Sequence, residues 1–276
     1  MVELLDSRQA VGVFDSGVGG LSVLRALLAT LPTETFVFVA DELHLPYGDK
    51  PQHAITERVL GLSHWLRSEG CKAMVMACNT ATAAGADQAR AIHANWPIVG
   101  IEPAVKPASL MTKTGVVGIL ATKNTVASER FKALVQRFDP MAKVLAVPCP
   151  GLVELIERSP IPRAEVCGLI EPVLQEFKSR QVDVIVLGCT HYPFVIDLIQ
   201  ELAGPGVQII ETGLPVAKQL KTRLEAEHLS NPQAKVKRDV DRVCFYTTGN
   251  PADFKTKLCN LMGSQWHAVE VQQLKV

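Results

Sequence analysis

The stretch VDVIVLGCTHYPF, residues 182–194, reads as a buried strand that runs straight into a chemical site. Its aliphatic run gives way at Gly188 to Cys189, Thr190 and His191. A short continuous apolar run bounded by turn residues suits a strand covered on both faces. A second stretch, KAMVMACNTATA at 72–83, has the same form and ends in Cys78, Asn79 and Thr80. A lone buried cysteine usually behaves as a small hydrophobe. Two of them at the tips of like strands suggest instead that the chain repeats a structural unit.

Working outward, the apolar run VGVFD (11–15) ends in Asp-Ser-Gly, and Leu21, Leu24, Leu27, Leu28 and Leu31 follow at helical spacing. FVFVAD (36–41) predicts a second strand, and a loop with PYG leads into a helix over 53–69. After the cysteine-tipped strand come a helix over 80–95 and the strand PIVGI. The pattern then restarts with GVVGILATKNT (115–125), a helix over 128–138, the strand KVLAVPCP and a helix over 162–180. Asp15 and Thr122, at the ends of the two opening strands, are 107 residues apart, and Cys78 and Cys189 are 111 apart. A period this long predicts two similar lobes rather than a solenoid. The expected fold is α/β, each lobe a mostly parallel sheet flanked by helices, with the active site in the cleft between them. A helix over 214–228, a charged linker over 233–242 and the run VCFYTTGNP are too short for a third lobe. We expect them to return to the first, giving lobes of 1–101 plus 212–276 and of 102–211.

Composition sets the bounds. The 276 residues are 47% hydrophobic and 20% charged, with zero net charge, so a large core is expected and nucleic acid is not an expected partner. No apolar run reaches the roughly 18–20 residues needed to span a bilayer, and MVELLDSRQA does not read as a signal peptide. The seven cysteines include no CxxC pair; we expect reduced thiols in a cytoplasmic protein and no metal site. Cys71, Cys149, Cys167, Cys244 and Cys259 lack the context of the repeated strands and read as structural.

Two facing lobes would place one thiol on each side of a carbon held between them. That arrangement removes a proton from one face of a stereocentre and returns one to the other, inverting it. With a free pKa of about 8.5, a cysteine can act as either acid or base. His191 is the local group to tune Cys189, and Asp15, ending the adjacent strand, the one to tune Cys78. Two other classes remain open at this point: a cysteine hydrolase using Cys189 and His191, and a two-lobed amino-acid-binding protein. The loop DSGVGGLS follows a strand and opens a helix but lacks the Lys-Ser/Thr ending of a phosphate loop. We read its glycines as letting a small substrate carboxylate approach backbone amides.

The motifs DSGVGGLSVL, LPYGDK, ACNTATA, GIEPAVKPA, ATKNT, GCTHYP and FYTTGNPADF resemble, in order and spacing, those of bacterial glutamate racemases. The resemblance runs from about Val11 to Phe254. It implies an isomerase without a cofactor that makes D-glutamate for peptidoglycan, with glutamate as substrate and a homodimer as the expected assembly. A related amino-acid or hydantoin racemase would use the same thiols. By motif position Cys189 takes the proton of L-glutamate and Cys78 that of D-glutamate, supported by His191 and Asp15. Glu157 in CPGLVELIE matches an auxiliary glutamate, with Glu154 close by. Ser16, Pro46, Tyr47, Gly48, Asn79, Thr80, Thr122, Thr125 and Thr190 match or adjoin substrate-contact positions. Glu211, Thr212 and Gly213 receive no role. No Schiff-base lysine sits in these motifs, so no pyridoxal cofactor is expected.

Overall fold

The structure, a computed structural model, describes residues 5–138, 140–232 and 238–276. Its strands are β1 (Val11–Asp15), β2 (Phe36–Ala40), β3 (Ala73–Met76), β4 (Ile98–Gly100), β5 (Val116–Ala121), β6 (Lys143–Pro148), β7 (Val184–Gly188), β8 (Gln208–Ile210), β9 (Val243–Thr247) and β10 (Val271–Gln273). They form two sheets, ordered β10-β9-β2-β1-β3-β4 and β6-β5-β7-β8. Every pairing among them is parallel.

The repeat is visible in the strand order. Shifting β2-β1-β3-β4 by four strands gives β6-β5-β7-β8, so β3 with Cys78 and β7 with Cys189 hold equivalent places. The chain returns to the first sheet at its end. The helix Gly213–Ala226 packs Leu220 and Leu224 into the cluster of Leu24, Leu27 and Phe38, and β9 pairs with β2.

Each sheet is apolar on both sides, which is why its strands read as unbroken hydrophobic runs. In β1, Val11 and Val13 face the cluster that includes Leu24 and Phe254. Phe14 faces the opposite cluster with Leu62, Met74 and Trp96. All five residues of β7 are buried. With helices on both sides, the strand ends are left as the place for polar chemistry.

Helix limits shift by one to three residues from the sequence expectation, as with Asn79–Ile92 in place of 80–95. The short strand β8 and the short helices Val105–Met111, Leu152–Glu157 and Ile196–Ala203 carry too few periods to stand out in sequence. Of the charged linker, residues 233–237 lie outside the described residues, and Asp239–Asp241 form one helical turn. No described helix is long and apolar enough to cross a membrane.

Candidate active site

Both repeated strands end at one small cavity. From the first lobe it is lined by Ser16, Pro46, Tyr47, Gly48, Cys78, Asn79 and Thr80. From the second come Thr122, Val153, Gly188, Cys189, Thr190 and His191. All the sequence-derived substrate positions are therefore brought together except Asp15 and Thr125, which lie just behind its wall, fully or almost fully buried. A wider cleft, lined in part by Gln52, Asn124 and Arg130, adjoins at Thr80 but carries neither thiol.

Cys78 is the N-cap of the helix Asn79–Ile92, and its Sγ accepts from the Ala81 N–H at 3.4 Å. Its thiol also faces Ser16 Oγ at 3.7 Å. Burial, and after it the charge of Asp15, push the Cys78 thiol well above its ordinary pKa. The group is thus held protonated, ready to donate.

Cys189 lies 3.8 Å from His191 Nδ1. The other ring nitrogen, Nε2, is 2.7 Å from Glu157 Oε1. Burial alone would disfavour the imidazolium, yet the hydrogen bonds to Cys189 and Glu157 outweigh it and raise His191 well above its usual value. For Glu157, burial raises the pKa, but the His191 hydrogen bond and charge, with Lys257 and the Val18 N–H, bring it down to about 2. The result is a buried ion pair whose cation faces the sulfur. On the helix Leu152–Glu157, Glu157 is buried and Glu154 exposed, and it is Glu157 that meets His191. Glu157 does not line the cavity; it meets the site through its contact with His191.

The glycine loop binds carboxylates, but they are the protein's own. Gly20 and Gly17 donate to Asp15 Oδ2 at 2.8 and 3.4 Å, and Val18 donates to Glu157 Oε1 at 2.8 Å. This corrects the sequence expectation that the loop approaches a substrate carboxylate. A Cβ on Gly17 would collide with Glu157, and one on Gly19 with the His191 ring and Thr190 Oγ1. The glycines let three second-lobe side chains, Glu157, Thr190 and His191, press against the first lobe. Asp15 is fully buried, and burial pushes its carboxyl above the ordinary range against the opposing pull of His191.

Hydroxyls and amides close the remaining wall. Thr80 Oγ1 lies 2.9 Å from Thr122 Oγ1 and 3.2 Å from Thr125 Oγ1, a cluster that spans the two lobes. Among the described residues neither the nitrogen nor the oxygen of the buried Asn79 amide has a hydrogen-bond partner, and both are therefore available to a polar ligand.

Three further groups were missed by sequence reading. Asp41, fully buried at the end of β2, accepts from Tyr47 Oη at 2.6 Å and from Arg58 Nε at 2.9 Å, fixing Tyr47 in the wall. It stands one residue past Ala40, the partner of Asp15 in the β1–β2 register, and a carboxylate directly after an apolar strand was a signal available in sequence. Asn124 Nδ2 of the second lobe donates to the Tyr47 and Lys50 carbonyls of the first at 2.9 and 2.8 Å. Lys257 reaches Glu157 from the helix Pro251–Met262; one lysine on an amphipathic helix gives no signal in sequence. Among the described residues no group of three or more His, Cys, Asp or Glu is placed to hold a metal ion.

Comparison with known proteins shows the family. The profile of the Asp/Glu/Hydantoin racemase family matches residues 11–220. A glutamate racemase of Pseudomonas aeruginosa is 45% identical over 256 residues, 92% of this chain and 94% of that one. The crystal structure of a Francisella tularensis glutamate racemase in complex with D-glutamate superimposes with a TM-score of 0.81 at 27% identity, covering 98% of both chains. That of the Escherichia coli enzyme with L-glutamate and the activator UDP-MurNAc-Ala does so with a TM-score of 0.80 at 27% identity, covering 96% of this chain and 97% of that one. The chain belongs to the glutamate racemases of the Asp/Glu/hydantoin racemase family.

Proposed function

We propose that the protein interconverts L- and D-glutamate by proton transfer at Cα between Cys78 and Cys189. The observation that carries this reading is that two thiols from equivalent strand ends of two lobes line one cavity. With L-glutamate bound, Cys189 as thiolate removes the α-proton while the imidazolium of His191 faces its sulfur. Cys78, held as a thiol, delivers a proton to the opposite face. With D-glutamate the roles exchange, and Cys78 must ionise first. The substrate α-ammonium supplies a cation that favours this ionisation against burial and the charge of Asp15.

The carbanion next to a carboxylate is stabilised by donors already in place rather than by rearrangement. The unpaired Asn79 amide, the hydroxyls of Ser16, Thr80, Thr122 and Thr190 and the backbone at Gly48 supply them, with Thr125 supporting the threonine cluster from behind. Pro46 and Tyr47 shape the opposite wall. We propose further that the lobes comprise 1–101 plus 212–276 and 102–211, and that a cytoplasmic homodimer supplies D-glutamate for peptidoglycan.

Purified protein given L-glutamate and no cofactor should lose the circular dichroism of the amino acid to zero, since the enantiomers have equal free energy in water. Prior dialysis against EDTA should leave the rate unchanged. A requirement for pyridoxal phosphate or a metal would defeat the two-thiol reading.

A further inference from the structure

Lys257 joins the two lobes behind the site. It lies on the first-lobe helix Pro251–Met262, and its Nζ is 2.7 Å from Glu42 Oε1 and 2.9 Å from Glu157 Oε2. Glu42 follows β2 in the first lobe, and its other oxygen accepts from Thr247 Oγ1 at 2.6 Å. Glu157 belongs to the second lobe, and its other oxygen holds His191. The ammonium thus completes a run Glu42–Lys257–Glu157–His191 that crosses the interface and ends 3.8 Å from the Cys189 sulfur. The side chains of Lys257, Glu42 and Glu157 are 21%, 9% and 7% exposed, too shielded for an ordinary surface pair.

We propose that Lys257 is a positioning residue for the Cys189 half of the reaction, bridging Glu42 and Glu157 so that His191 stays against Cys189 when the lobes are closed. The inference rests on the racemase reading and adds a residue to it. Glu157 faces Asp15, Glu42, His191 and Lys257, and His191 faces Asp15, Cys189 and Glu157. Lys257 brings a second cation, besides His191, to this group of carboxylates. It occupies Glu157 Oε2 and offsets the repulsion between Glu157 and Glu42. Without it, Oε2 is a buried anionic oxygen with no partner, and Glu157 takes up a proton at higher pH, releasing His191.

Lys257→Met should therefore lower kcat from L-glutamate about tenfold with little change in KM, the size expected for a catalytic group held slightly out of place. The acid limb of its pH profile should move up by about one unit. Lys257→Arg, which keeps the charge and the donors, should restore most of the rate. In a Glu157→Gln background Lys257→Met should cost less than about twofold, because the two residues act in series. Equal losses in both backgrounds, or an unmoved acid limb, would overturn the proposal.

A readout free of turnover separates this idea from the racemase reading. The imidazole ¹⁵N shifts of His191 register protonation of Glu157, and that inflection should rise in Lys257→Met but not in Lys257→Arg. An inflection that is the same in both variants would overturn the proposal even if wild-type protein racemises glutamate. Wild-type protein that fails to racemise while the inflection moves would instead defeat the racemase reading alone.

Discussion

Cys78→Ala and Cys189→Ala should each abolish racemisation from both enantiomers while leaving the fold intact. Each direction requires one base and one acid on opposite faces of Cα, so neither thiol can replace the other. Losing one positioned acid or base costs about 10²–10⁴ in rate, and here inversion has no alternative donor on the vacated face. Both side chains are buried, so removing a sulfur costs stability of order 1 kcal/mol, small against the ~5–15 kcal/mol of a typical fold. Initial rates by circular dichroism from L- and from D-glutamate, with far-UV spectra as the control for folding, provide the measurement. A cysteine hydrolase built on Cys189 and His191 would keep its activity in Cys78→Ala, and that result would remove one of the two thiols from the mechanism.

Gly19→Ala should reduce kcat/KM about 100-fold with little change in melting temperature. Gly19 has φ −54° and ψ −41°, a conformation that alanine adopts freely, so the first lobe itself tolerates the substitution. The added methyl group meets atoms of the other lobe, the His191 ring and Thr190 Oγ1. Either the lobes part or His191 leaves Cys189, and displacement of about 1 Å at a reacting group costs on the order of 10²-fold. A variant with normal kinetics would show that His191 need not lie against the glycine loop. A variant that unfolds would show that the contact serves stability rather than closure.

Much of the fold was legible because parallel strands covered on both faces must be apolar throughout. VIVLG and VGVFD announced themselves, and the recurrence of cysteine-tipped strands exposed the repeat. The strand β8, with its residues exposed or half-buried, had no such constraint and was missed. In the site, Cys78, Cys189, Asp15 and His191 were legible because polar residues follow apolar strands abruptly. Glu157 was named through the resemblance, while its contact with His191, which Glu154 does not share, depends on the helix that buries one and exposes the other.

The glycine loop was misread for an instructive reason. Its amides do bind carboxylates, but sequence does not reveal that Glu157, 139 residues further on, already occupies one of them. Lys257 and Asn124 were invisible for the same reason: their roles lie in contacts between lobes, which leave no periodic trace along the chain.

Turnover of L-glutamate in D₂O tests the two-thiol account most directly. Cys78 exchanges with solvent before substrate binds, so D-glutamate formed in the first few per cent of reaction should carry deuterium at Cα. The remaining L-glutamate should keep its proton, because the hydron on Cys189 came from that same carbon. Mass spectrometry of the separated enantiomers reads both. Early D-glutamate that retains the original proton would mean that one base serves both faces, and the account of two facing cysteines would be contradicted.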